Sequence, residues 1–156
     1  MLKAERGFTF VELLVVTTIL LILASAIMPL AKVTIQRERE SELRRDLRDM
    51  RTAIDKFKDA ADAGAIAPTD IQAGSENYPP SLQTLVDGVT KNNDATGTKL
   101  KFLRRIPMDP MTHAADWGMR SYADKPDSTS WGGGNVYDVF TKSEGKALDG
   151  TKYKDW

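Results

Sequence analysis

From Leu13 to Ala31 the chain runs for 19 residues without a charged side chain. As a helix, that run would be roughly 28 Å long, about the thickness of a bilayer's hydrocarbon core. The alternative is a helix buried in a protein core. A chain of 156 residues could hardly surround a helix that is apolar on every face. The run therefore predicts a membrane-spanning helix. Ala24-Ser25-Ala26 also offers a small-residue site of the kind cut in a secretory signal peptide, which is the competing reading. Against it, the run is longer than an ordinary signal core and passes without a turn signal into a charged helix. Pro29 lies inside the run, where it frees the carbonyl of Ser25 and predicts a bend.

Beyond Lys32 the pattern becomes charged but stays helical. Leu43, Leu47, Met50, Ile54, Phe57 and Ala61 recur at steps of three and four, one apolar stripe along a helix face. Glu40–Arg44 and Arg51–Asp55 are opposite charges at i,i+4. Between Lys32 and Gly64 no Gly or Pro interrupts, and a continuous helix over 8–63 would reach roughly 84 Å. The stripe suits either a two-stranded coiled coil or packing on the remainder of the chain. The second is preferred, because the residues that follow need a partner surface.

Composition removes many functions. There are 22 basic and 22 acidic residues, so no global charge favours nucleic acid. The chain has no Cys and a single histidine, His113. That excludes a disulfide framework, a thiolate nucleophile and a multi-histidine metal site. No paired carboxylates, nucleophile–base set or metal triad stands out, and the expectation is that the protein is not an enzyme.

Residues 64–156 read as short elements joined by loops. Leu82–Val86 is predicted as a small helix capped by Ser81 and ended by Gly88. Polar residues 91–98 predict a loop. Residues 117–123 and 135–141 are strand candidates, the second rich in β-formers. Gly132-Gly133-Gly134 between them reads as a turn. A phosphate-binding loop would need a helix to follow, and a strand candidate follows instead. Trp117, Trp131, Tyr137, Tyr153 and Trp156 read as core or subunit contacts before a binding platform.

The first residues carry a more specific signal. Arg6-Gly7-Phe8-Thr9-Phe10-Val11-Glu12-Leu13-Leu14 resembles the prepilin cleavage and methylation motif of type IV pilins and type II pseudopilins. Asn77-Tyr78-Pro79-Pro80 and the later Pro107-Met108-Asp109-Pro110 resemble the segments of major pseudopilins. The resemblance implies that a membrane peptidase cuts between Gly7 and Phe8, removing residues 1–7, and methylates the Phe8 amine. It implies a pilin-like α+β fold, a long N-terminal helix packed on a small C-terminal antiparallel sheet. The transmembrane and assembly half would be 8–31, the amphipathic half 32–63 and the globular domain 64–156. Lys3 and Arg6 precede the span while Lys32, Arg37 and Arg39 follow it, so charge alone does not orient the helix. The resemblance places the N-terminus in the cytoplasm, the chain in the bacterial inner membrane, and the assembled product in the periplasm.

Glu12 is the most informative residue of the motif. A carboxylate within a membrane helix costs about 2–3 kcal/mol or more at depth. Cleavage would create a partner, the Phe8 amine, within the same helix or on a neighbouring subunit, and at low dielectric the pair attracts strongly. A carboxylate solvated at the headgroup level is the alternative. The implied product is a homopolymer that works with minor pseudopilins, an inner-membrane platform and its ATPase, an outer-membrane secretin and exported proteins. A type IV pilus subunit for adhesion, motility or DNA uptake is the alternative within the same superfamily. A single-pass anchored enzyme or binding module is the alternative outside it. The resemblance further implies calcium in the loop after the last strand. Glu144 and Asp149 are the matching positions and Asp155 is a weaker third. The loop departs from the family pattern in its Glu, its length and the nearby Lys142 and Lys146. A plain surface turn is the alternative there.

Overall fold

The computed structural model describes residues 7–94 and 96–156, the side chains of 26–30 excepted. Its first element, α1, runs Phe10–Asp62. Gly64, at φ 67°, ends it. The Ala65 N–H reaches back to the Ala60 carbonyl at 2.9 Å and the Gly64 N–H to Ala61 at 3.0 Å, a Schellman closure that needs the left-handed residue glycine supplies. α1 passes through Pro29 without interruption; the Pro29 side chain and leader residues 1–6 lie outside the described residues.

Compact packing divides the chain into 1–38 and 39–156. The boundary falls within α1, so its residues from Arg39 onward cluster with the globular part. In the second unit the predicted stripe is the core: Leu43, Met50 and Ile54 are fully buried, and Leu47, Phe57 and Ala61 nearly so. They pack with Leu85, Val136, Val139, Trp117 and Tyr153. The stripe therefore serves its own domain, as the sequence preference had it. Phe57 and Phe102 meet edge to face at 5.3 Å between centroids.

A 3-10 turn, Pro68–Asp70, precedes α2, Leu82–Asp87. Ser81 caps α2 by accepting the Thr84 N–H, and Gly88 closes it at φ 80°. Both features follow the sequence reading. Two small antiparallel sheets complete the unit. In the first, β1 (Val89–Thr90) pairs with β2 (Lys99–Leu100), Val89 opposite Leu100. In the second, β3 (Gly118–Arg120) pairs with β4 (Asp138–Phe140), placing Gly118 opposite Phe140 and Arg120 opposite Asp138. The second sheet sits inside the two predicted strand segments and is shorter than either. Residues 91–94 and 96–98, read as part of a loop, lie between β1 and β2, with the Lys91 N–H donating to the Thr98 carbonyl at 3.1 Å. Gly133 and Gly134 turn the chain before β4, at φ 82° and 81°.

The Pro107–Pro110 segment has a structural role. Asp109 is completely buried. Its carboxylate accepts the Met111 N–H at 2.8 Å and the Thr141 hydroxyl, and the Thr141 oxygen accepts the Ser143 N–H. A buried acid is tolerable only when its oxygens are satisfied in this way. It joins the loop before β3 to the segment after β4.

Candidate assembly segment and carboxyl-terminal segment

The described part of the first unit has one unusual property: its large apolar side chains lack burial. From Phe8 to Leu23 they are between 46 and 81% exposed. Burying one such side chain is worth about 1.5–3 kcal/mol, so an apolar surface of this extent calls for a covering partner. The hydroxyls within this apolar stretch are already satisfied within the helix. Thr17 donates to the Leu13 carbonyl at 2.9 Å, Thr18 to Leu14 at 2.7 Å and Ser25 to Ile22 at 2.7 Å. Hydroxyls turned back on their own helix need nothing from solvent, as an apolar environment requires.

Gly7 and Phe8 are exposed and precede the helix in irregular backbone. Thr9 caps α1: its hydroxyl oxygen accepts the Glu12 N–H at 3.2 Å and its carbonyl accepts the Leu13 N–H at 3.1 Å. Glu12 thus occupies the third position of the first turn, where a carboxylate also interacts favourably with the helix dipole. Sequence reasoning treated Glu12 solely as a pairing acid or a solvated one and missed its place in the cap. The Thr-x-x-Glu spacing of a capping box carries that signal.

No helix of the described residues is long and apolar enough to cross a membrane. With the side chains of 26–30 outside the description, the described apolar stretch stops at Ser25, short of the 19-residue run in the sequence.

The carboxyl-terminal positions lie in the second unit. Asp149 sits in a tight turn in which the Ala147 N–H bonds the Thr151 carbonyl at 2.8 Å. One carboxylate oxygen accepts the Thr151 N–H at 2.9 Å and the Thr151 hydroxyl. The other faces the Arg44 guanidinium at 3.8 Å. The Thr151 hydroxyl first, then its N–H and Arg44, hold the Asp149 carboxyl below its usual value. Glu144 lines a different hollow, beside Lys142 and Lys154. Asp155 belongs to the 3-10 turn Tyr153–Asp155. Among the described residues no three His, Asp or Glu side chains gather as a metal-binding group.

Glu40 and Arg51, read in the sequence as helix-surface charges, serve the domain. Glu40 is 6% exposed. Its Oε1 accepts the Leu148 N–H at 2.9 Å and the Tyr153 hydroxyl at 3.0 Å. Arg51, expected to pair with Asp55, donates to Asp138 at 2.7 Å, to the Val139 carbonyl at 3.0 Å and to the Trp156 carbonyl at 2.6 Å. Arg44 lies 3.9 Å from the Trp156 ring centre, within cation–π range.

Comparison with known proteins adds one finding. Residues 2–28 match the family described as the prokaryotic N-terminal methylation motif. The match spans the Gly7–Phe8 junction, the Thr9 cap, Glu12 and the exposed apolar stretch, and its motif is a prepilin-type signal of the kind that type IV pilin-like and pseudopilin precursors carry. The α+β architecture, a long N-terminal helix with small antiparallel sheets, is compatible with the pilin-like fold. No curated protein and no solved structure gives a significant match.

Proposed function

We propose that the protein is a non-catalytic filament subunit, the major pseudopilin of a type II secretion system. The observation that carries this reading is the exposed apolar start of α1, its hydroxyls satisfied within the helix, lying inside the matched methylation motif. After cleavage at Gly7–Phe8 and methylation of Phe8, the span would wait in the inner membrane, N-terminus inward. Extraction into a fibre exchanges lipid contact for packing against identical helices, a change that is small per residue and requires an external energy source, the cytoplasmic ATPase acting through its platform protein. Glu12 would set the register by pairing with the Phe8 amine of an adjacent copy. In the low dielectric of a helix bundle that pairing resists slippage far more than in water. Minor pseudopilins, the secretin and exported proteins are the further partners of this reading; nucleic acid has no place in it. The Pro107–Pro110 segment and the lack of cysteine favour the pseudopilus over a surface pilus.

Mass spectrometry of the native protein tests the class. A mature chain starting at methylated Phe8 is expected, and an intact Met1 start would sink the reading. Deletion of the gene then separates the two fibres: loss of exported proteins from the medium supports the pseudopilus, whereas unchanged export with loss of a surface fibre assigns the chain to a pilus.

A further inference from the structure

The resemblance implies a calcium ion in the segment after β4, yet the oxygens there are otherwise engaged. Asp149 is turned to Thr151 and Arg44, and Glu144 stands among lysines. The Thr151 and Gly145 carbonyls accept main-chain N–H groups from Ala147 and Tyr153 at 2.8 and 3.2 Å. Calcium needs six or more oxygens converging on one point, several of them anionic, and this segment does not converge its acids.

We infer that residues 141–156 are fastened to α1 by a cation-independent clasp of side chains centred on Glu40. Three turns of one helix face take part. Glu40 grips the Leu148 N–H and the Tyr153 hydroxyl. Arg44 reaches Asp149 and lies over the Trp156 ring. Arg51 holds the Trp156 carbonyl. Within the segment, the Tyr153 and Trp156 rings pack edge to face at 5.2 Å, and the Trp156 indole N–H donates to the Thr151 hydroxyl at 2.8 Å. The grips therefore bear on one folded unit. In place of a metal, a buried carboxylate on α1 supplies the negative charge that organises the turn, with hydrogen bonds to a charged acceptor among the stronger ones available. The inference stands on the second unit alone and is independent of which fibre the protein builds.

Hydrogen exchange of the segment tests it, using the full chain in detergent micelles with calcium chloride or with EGTA. Amide exchange over 144–156 is expected to be the same in both, and calorimetry with calcium alone is expected to show no binding. Glu40→Ala should accelerate exchange of the Leu148 amide by about tenfold or more. Glu144→Gln should leave exchange unchanged. Should Glu40→Ala fail to fold, Tyr153→Phe, which removes a single hydroxyl, is expected to give a smaller acceleration over the same residues. Faster exchange in EGTA, or calcium binding abolished by Asp149→Asn, would overturn the proposal. So would unaltered exchange in a folded Glu40→Ala protein or, if that variant does not fold, in Tyr153→Phe.

Discussion

The ring of Phe140 occupies the space that a side chain at Gly118 would need. The two residues are register partners of β3 and β4, and a Cβ built on Gly118 would collide with the Phe140 ring. On the same face Arg120 holds its guanidinium 4.1 Å from the centre of that ring. Glycine is thus required here by closeness, at a position where its backbone angle is ordinary. Gly118→Ala is expected to cost about 1–3 kcal/mol through overpacking, read from urea unfolding of the detergent-solubilised chain. In a Phe140→Leu background the same change should cost less, because the two sites are coupled. Equal costs in both backgrounds would show that the ring is not what excludes the side chain.

Glu12 and Thr9 share one helix start but are expected to fail differently. Glu12→Ala removes the charge and should permit leader cleavage while reducing fibre yield severely. Thr9→Ala removes the cap, worth about 1 kcal/mol, and should loosen the first turn with a smaller effect on fibre yield. Sedimentation of sheared fibres together with mass spectrometry of the N-terminus measures both. Normal fibres from Glu12→Ala would remove its assembly role.

Arg51 joins α1 to β4 and to Trp156 through its three hydrogen bonds. Arg51→Ala leaves Asp138 with its second cation, Arg120, at 3.0 Å, so the loss should stay at about 1–3 kcal/mol. Arg51→Lys should recover little of it, since an ammonium cannot reproduce the planar fork. Unfolding midpoints of the two variants check this.

Acid should weaken the β1–β2 hairpin tip. The Thr96 hydroxyl, followed by the Thr96 N–H, lowers the Asp94 carboxyl to about 2 from 3.8. Asp70 is also held below 3.8, first by the Thr90 N–H at 2.6 Å. A carboxyl depressed by folding contributes stability that is complete above its unfolded value and disappears as pH falls through its folded one. For Asp94 that window runs from 3.8 down to about 2. Asp46, raised chiefly by burial, works in the opposite direction. Asp94→Asn should therefore lower the unfolding midpoint at neutral pH, and its difference from the parent chain should close as pH falls to about 2. A difference that persists unchanged in acid would show that the hydrogen bonds do not depend on the charge.

The stripe from Leu43 to Ala61 was legible in the sequence because helical burial repeats every three or four residues and no charge interrupts it. The α2 helix was legible through Ser81 and Gly88, whose local chemistry marks its ends. Glu40 was not, although it stands three residues before Leu43 and so continues the stripe by one step. Its charge argued for solvent, and only the remote Leu148 and Tyr153 donors make its burial tolerable. The same holds for Arg51, whose partners lie 87 to 105 residues away and lack any trace in local spacing. The β1–β2 hairpin escaped notice because each strand has two residues, too few to show alternation. At the other end, the candidate assembly segment was read from its run of apolar residues, while the Thr9 cap was hidden inside a motif read for its cleavage.

That cap lies on the product side of the Gly7–Phe8 bond. On the proposed cleavage, trimming the leader would discard none of the atoms that begin α1, so the precursor and the mature chain would share the Thr9 cap. Maturation would then change what the end of the helix carries and leave its first turn ready-made.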